Sequence, residues 1–362
     1  MRYLAALAVL ASLSAIPVML AAQEAELNAA AERDAGEADA AKADAAKPGA
    51  PENKDTKQAA KAKPAKKAAV VPAKLLFGAA KTPAPLAARS IGFYAKGCLA
   101  GAMALPIDGP AWQAMRLSRN RNWGHPDLIA LVEKLAVDAK ANDGWPGLLV
   151  GDISQPRGGP MLTGHASHQV GLDADIWLTP MPDRRLSEKE REELSATSML
   201  ADDRVSVNPQ VWTEAHARLL KRAAGYKQVE RILVHPAIKK AVCESAVAKE
   251  GDRAWLSKVR AYWGHYYHFH VRIACPKGNA NCEAQPSVGS DDGCGADLKR
   301  WLALVKTPPK PGPPGPERTP ITLSQLPADC RAVLAGSGAP IPPAPVPAKR
   351  AKPADNEAPV PK

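Results

Sequence analysis

Two short segments hold five of the chain's eight histidines. The first is Gly164-His165-Ala166-Ser167-His168-Gln169-Val170-Gly171-Leu172-Asp173-Ala174-Asp175-Ile176-Trp177. The second is Trp263-Gly264-His265-Tyr266-Tyr267-His268-Phe269-His270-Val271-Arg272. Side chains alternate along a strand, so a strand here puts His268 and His270 on one face and turns Phe269 to the core. Two neighbouring imidazoles are costly unless one binds a metal or acts as a base. Asp173 and Asp175 share a face in the same way. Carboxylates are poor strand formers, so an Asp-x-Asp that runs on into Ile176-Trp177-Leu178 wants a local cation. His168 precedes that strand and can meet Asp175 around the turn at Gly171. Two histidines and one carboxylate are the ligand set of a catalytic zinc, with one position left for water. Alone, a His-x-His reads as a surface pair and an Asp-x-Asp as a turn cap. Their joint occurrence points to metal.

Other chemistries lack their residues. There is no His-Glu-x-x-His helix signature and no Gly-x-Ser-x-Gly elbow in the sequence. Asp173 is placed either to hydrogen-bond a ligand imidazole or to cap a turn. Arg157, in a Gln-Pro-Arg-Gly-Gly loop, is a candidate for a peptide carboxylate, and its plainer reading is a solvated loop arginine. His125, His216 and His235 read as structural.

The elements that must carry these residues can be traced from their periodicity. Helical spacing of Leu128, Leu131, Val132 and Leu135 predicts a helix over Pro126–Ala141. Further helices are expected over Pro209–Gly225, Pro236–Lys249 and Asp252–Tyr262. Strands are expected over Gly147–Gly151, Leu172–Leu178, Val229–Val234 and His268–Ala274. Without regular β-α-β alternation, the order implies an α+β fold with a mainly antiparallel central sheet and flanking helices.

The rest of the 362 residues is organised around that core. Residues 1–22 read as a secretory signal peptide, and no second hydrophobic span or lipid-modifiable cysteine suggests an anchor. Residues 23–75 are a charged Ala/Lys/Pro-rich stretch with too little apolar surface to fold, expected as a disordered tether. The domain is expected over 76–334, with an internal Pro-rich segment at 307–320 and a disordered Pro-rich tail at 335–362. Six cysteines in an exported chain imply three disulfides. Cys275 and Cys282 flank a short loop that suits a local pair. Net charge is +11, but it is spread out, with no aromatic-basic stripe or zinc-finger spacing, so nucleic acid is not an expected partner. A mildly basic surface suits a polyanion.

His168 and Asp175 at seven-residue spacing, with His268-x-His270, resemble the pattern of the lysostaphin / D-Ala-D-Ala-metallopeptidase / hedgehog-like group. The resemblance is closer to the penicillin-insensitive murein endopeptidases. It rests on Ser90-Ile91-Gly92, Gly97-Cys98, Gly124-His125-Pro126, Leu149-Val150-Gly151-Asp152, Gly164-His165-Ala166-Ser167-His168-Gln169, Asn208-Pro209 and Asp292-Gly293-Cys294-Gly295. It spans about residues 80–334. The resemblance implies a hedgehog/D-Ala-D-Ala-peptidase-like fold and zinc held by His168, Asp175 and His270. It implies catalytic roles for His268, as base or electrostatic stabiliser, and for His265. It also implies extra metal contacts at His165 and Asp203, although Arg204-Val205-Ser206 stands where a further histidine is expected. The implied disulfides are Cys98–Cys330, Cys243–Cys294 and Cys275–Cys282. The implied activity is hydrolysis of D-alanyl–meso-diaminopimelyl cross-links of peptidoglycan in the periplasm, insensitive to penicillin. The alternatives are a D,D-carboxypeptidase or dipeptidase of the same fold, and a non-catalytic, zinc-containing wall-binding protein.

Overall fold

The computed structural model of the chain describes residues 71–308 and 319–336. The expected signal peptide, nearly all of the expected tether, most of the Pro-rich segment and nearly all of the tail lie outside the described residues. Helix α1 (Ala73–Ala79) comes first, within which falls the expected domain boundary. A hairpin of β1 (Arg89–Phe93) and β2 (Lys96–Ala100) follows. Then come β3 (Met103–Ala104), β4 (Trp112–Ala114), β5 (Trp123–Gly124) and α2 (Pro126–Asn142). The central stretch holds β6 (Leu148–Val150), β7 (Asp173–Trp177), α3 (Glu188–Glu193) and α4 (Glu214–Gly225). It continues through β8 (Val229–Val234), α5 (Pro236–Glu244), α6 (Ala246–Lys249), β9 (Val259–Ala261) and β10 (His268–Ile273). Helices α7 (Ala296–Lys306) and α8 (Cys330–Ala335) close the described fold. No helix among the described residues is long and apolar enough to cross a membrane.

The fold is α+β, built on a six-stranded sheet of order β4-β6-β7-β10-β8-β9. The sheet is mixed, where a mainly antiparallel one was expected. Its inner pairings β6–β7, β7–β10 and β10–β8 are antiparallel, and the outer pairs β4–β6 and β8–β9 are parallel. The parallel edge at β9 replaces part of the helix expected over Asp252–Tyr262. A 3-10 turn over Ala254–Lys258 runs instead into Val259–Ala261, which pairs with Ile232–Val234. Three residues are too few for periodicity to separate strand from helix. The helix expected over Pro236–Lys249 is broken at Ser245, whose hydroxyl accepts from the Ala248 amide and caps a new helix. The helix expected from Pro209 starts at Glu214, behind the N-cap Thr213.

Leu128, Ile129, Leu131, Val132, Leu135, Ala136 and Ala139 form the buried face of α2 and join the main core with Val150, Ile176, Ile232 and Phe269. A second cluster joins Ala73 and Phe77 of α1 to Ile91 and Cys98 of the hairpin and to Cys330 and Val333 of α8. Phe77 is fully buried there, a burial worth about 1.5–3 kcal/mol. Disulfides join Cys98 to Cys330, Cys243 to Cys294 and Cys275 to Cys282, the pairing that the resemblance implied.

Candidate metal centre

Strands β7 and β10 pair so that His270 stands opposite Asp175, Arg272 opposite Asp173 and His268 opposite Trp177. Directly opposed residues on antiparallel strands point to the same face. One face of this pair therefore gathers His268, His270, Arg272, Asp173 and Asp175. His168 arrives from the turn before β7. It has a left-handed φ of 65°, held by its amide donating to Asp173 Oδ2 at 3.0 Å. Gly171 completes that turn at φ 70°. A side chain there would meet Leu99 Cδ2 at 2.5 Å and the His125 amide at 2.9 Å.

The hydrogen bonds fix which ring nitrogens are free. His168 Nδ1 lies 2.6 Å from the Ile153 carbonyl, which can only accept, so that nitrogen carries the proton. His270 Nε2 lies 2.9 Å from Asp173 Oδ1 and carries its proton in the same way. The remaining nitrogens, His168 Nε2 and His270 Nδ1, are then bare lone pairs only 3.1 Å apart. Each is 3.3 Å from Asp175 Oδ1, a buried oxygen with no aligned hydrogen bond. Three lone-pair donors converge, and this fits a cation. Burial alone would raise the Asp175 carboxyl, but His168, His268 and His165 outweigh it and hold it well below the usual range. For Asp173, burial is likewise outweighed by Arg272 and His270. His270 is pulled down by burial but raised on balance by Asp173.

The other two histidines of β10 and its approach stand beside this group. His268 Nε2 is 3.7 Å from Asp175 Oδ1, and its Nδ1 is buried without a hydrogen-bond partner. Burial pushes it down to about 4, so it is neutral at pH 7. His265 has a left-handed φ of 51°. Its Nδ1 lies 2.5 Å from the Trp263 carbonyl, and its ring centroid is 4.9 Å from that of His268. Burial, then His268 and His270, lower it well below the ordinary value.

His165 approaches from the opposite side. Its Nδ1 faces Asp175 Oδ2 at 3.5 Å and its Nε2 meets Asp152 Oδ2 at 3.0 Å. His165, His168 and Asp175 each bring one ligand atom within 4.8 Å of the others. Asp203 is not brought into the group. It is exposed, and its carboxylate is used on its own turn, by the amides of Val205 and Ser206 and the Ser206 hydroxyl.

The roles of Asp152, Arg119 and Arg121 were missed from sequence. The Asp152 carboxylate is 3% exposed and carries Arg121 at 2.8 Å and Arg119 at 3.2 Å. In the sequence Asp152 stands out only as the end of the Leu149-Val150-Gly151-Asp152 motif, two residues past the buried strand β6, with no role attached. Asp173 makes both contacts: its carboxylate takes the His270 Nε2 proton and it caps the His168 turn. Arg157 is spent elsewhere, on the carbonyls of Thr82, Val333 and Leu334. His125 and His235 each cap a helix that begins at the following proline, and His216 shares a capping box with Thr213.

Residues 90–335 match the family model described as penicillin-insensitive murein endopeptidase. A protein of that name from Haemophilus influenzae is 46% identical over 227 residues, 62% of this chain and 76% of its own length. Its namesake from Klebsiella pneumoniae is 41% identical over 247 residues, 68% of this chain and 86% of its own. One from Salmonella heidelberg is 42% identical over 252 residues, 70% and 88%. The chain belongs to the penicillin-insensitive murein endopeptidase family.

Proposed function

We propose that this chain is a zinc-dependent murein D,D-endopeptidase that hydrolyses D-alanyl–meso-diaminopimelyl cross-links of peptidoglycan in the periplasm. The observation that carries the reading is the convergence of His168 Nε2, His270 Nδ1 and Asp175 Oδ1. Two imidazoles and one carboxylate are a donor set suited to zinc. Murein as the substrate is taken from the names of the relatives, and the D-alanyl–meso-diaminopimelyl link from the family resemblance. A hedgehog/D-Ala-D-Ala-peptidase-like fold belongs to the same reading and is supported by the opposed His270 and Asp175.

His168, Asp175 and His270 would hold the metal. Zinc at such a site supplies a Lewis acid and a water that ionises near neutral pH. Asp173 fixes the His270 tautomer that leaves Nδ1 free, and the Ile153 carbonyl does the same for His168. His268, kept neutral by burial, accepts a proton at Nε2 and returns it to the leaving amine. His265 packs against His268 and keeps that face of the site filled. His165 faces the second oxygen of Asp175 and is the further metal contact of this reading, and Asp203 is not a ligand in it. The group is made of imidazoles and carboxylates, so a β-lactam finds no nucleophilic serine in it to acylate. That supports insensitivity to penicillin.

The test is direct. The whole chain is incubated with a purified cross-linked muropeptide dimer, with and without a chelator, and the products are identified by mass. Monomers should form, and the chelator should abolish them until zinc is restored. An intact dimer in the presence of zinc-loaded protein overturns the reading, as does cleavage that survives metal removal. Release of only a terminal D-alanine points to a carboxypeptidase instead.

A further inference from the structure

Beside the metal centre stands a turn that contributes nothing to the core. It is the 3-10 turn Leu117–Arg119, which has no buried residue. Both residues that bracket it, Arg116 and Asn120, are left-handed, with φ of 56° and 52°. That conformation is disfavoured outside glycine, and it persists only where the surroundings impose it. Here they do. Arg116 donates to the carbonyls of Arg191 at 3.2 Å and Leu194 at 2.9 Å, and to that of Glu192. The Glu192 carboxylate takes the Ser118 amide and hydroxyl, each at 2.8 Å. Asn120 accepts from Trp123 Nε1 at 2.8 Å and donates to the Lys81 carbonyl at 3.1 Å.

Arg119 is used differently. Its Nη1 reaches Asp152 Oδ2 at 3.2 Å, and 48% of its side chain is open to solvent. A guanidinium has five N–H donors in a planar fork, so most of this one is left for something else. Asp152 does not require it. Arg121 already meets the same oxygen at 2.8 Å with 9% exposure. The second guanidinium is surplus positive charge on the solvent side. His165 shares Asp152 Oδ2 and on its other edge faces Asp175. One carboxylate and one imidazole therefore link Arg119 to the metal centre.

We propose that Arg119 receives the substrate carboxylate that lies next to the scissile amide. The inference rests on the endopeptidase reading given above. In a D-alanyl–diaminopimelyl link, the scissile nitrogen is bonded to a carbon that carries a free carboxylate. That anion must approach a site already holding Asp152 and Asp175. A half-open guanidinium fork offsets the repulsion and matches a carboxylate in two-point geometry.

The test uses the whole zinc-loaded chain and two cross-linked dimers. One has the free carboxylate beside the scissile nitrogen, and in the other it is converted to the carboxamide. The wild type should cleave the acid with kcat/KM about ten- to a hundredfold above the amide, the range of a charge-assisted hydrogen bond. Arg119→Ala should cleave both alike, with the loss confined to the acid and falling mainly on KM. Arg119→Lys should recover part of the preference, because it restores the charge without the fork. Arg121 still meets Asp152 in these variants, so fold and zinc content should be unchanged. If Arg119→Ala keeps the wild-type preference, or loses both substrates equally, the proposal is wrong. A binding arm separates it from the endopeptidase reading. The diaminopimelate-terminated product, as acid and as amide, is titrated into wild type and Arg119→Ala by calorimetry. Acid-selective binding that needs Arg119, without cleavage of either dimer, sustains the carboxylate site and removes the endopeptidase. Cleavage of both dimers without acid preference does the reverse.

Discussion

Arg272 Nε donates to Asp173 Oδ1 at 2.6 Å, and the same oxygen takes the Nε2 proton of His270 at 2.9 Å. One buried carboxylate thus joins a structural cation to a candidate ligand. The two partners should fail differently. Arg272→Ala leaves Asp173 buried and short of its counter-ion, and should destabilise the fold by about 3–5 kcal/mol. Denaturant unfolding measures that. Asp173→Asn leaves one neutral acceptor oxygen where Arg272, His270 and the His168 amide share two charged ones, so the His270 tautomer is held less firmly and zinc binding should weaken about ten- to a hundredfold. Chelator competition measures it, and unchanged affinity would dissociate Asp173 from the centre.

His268 and His270 point the same way from β10 and differ in what they face. His270→Ala should lose the metal and whatever stability the metal lends. His268→Ala should keep metal and fold, yet lose turnover by about 10²–10⁴. Elemental analysis and a dimer-cleavage assay on both variants decide it. Metal loss in His268→Ala with retention in His270→Ala means the two roles are exchanged.

Much of this pair could be read in the sequence, because strand alternation and residue chemistry are local. His268–Ile273 and Val229–Val234 appear where the period-2 pattern put them. Other parts were hidden for physical reasons. The β1–β2 hairpin carries Gly92 and Gly97 inside its strands, which dilutes the strand pattern. Helix α7 buries only Leu298 and Val305, so its apolar stripe is thin. Asp152 gains its meaning from Arg119, Arg121 and His165, partners that only the tertiary fold brings together. Asp203 enters through the family resemblance alone, and its own loop satisfies its carboxylate.

Acid should weaken the fold through histidines outside the candidate metal centre. Burial lowers His216 and His235 to about 4 each. Unfolded histidine titrates near 6.5, so between about pH 6.5 and 4 the unfolded chain binds more protons than the folded one. Stability is therefore unaffected by them above that window. It falls as pH drops through it, by on the order of 2–3 kcal/mol per residue. His216 also accepts from the Thr213 amide at 3.1 Å, a bond that a proton on Nδ1 removes. Thermal midpoints from pH 8 to 4 should show the slope, and His216→Gln should flatten it. An equal slope in that variant would assign the acid sensitivity elsewhere.

The Cys98–Cys330 bridge closes a separation of 232 residues. Replacing both cysteines with serine should cost about 2–5 kcal/mol and loosen α8 from the hairpin. Limited trypsin digestion should then cut after Arg331, which is exposed, before the main sheet is touched. Equal cleavage in both proteins would show that packing alone holds the helix.

The same bridge has a mechanical meaning. Every strand of the six-stranded sheet, from Trp112 to Ile273, lies within the covalent loop that Cys98 and Cys330 close. Tension applied through the chain on either side of the described fold passes from α1 along the hairpin to Cys98, crosses the sulfur–sulfur bond, and leaves through α8. The backbone between the two cysteines carries none of it while the bond is intact. A domain pulled by its ends would stretch its collar and leave the histidine–aspartate group slack.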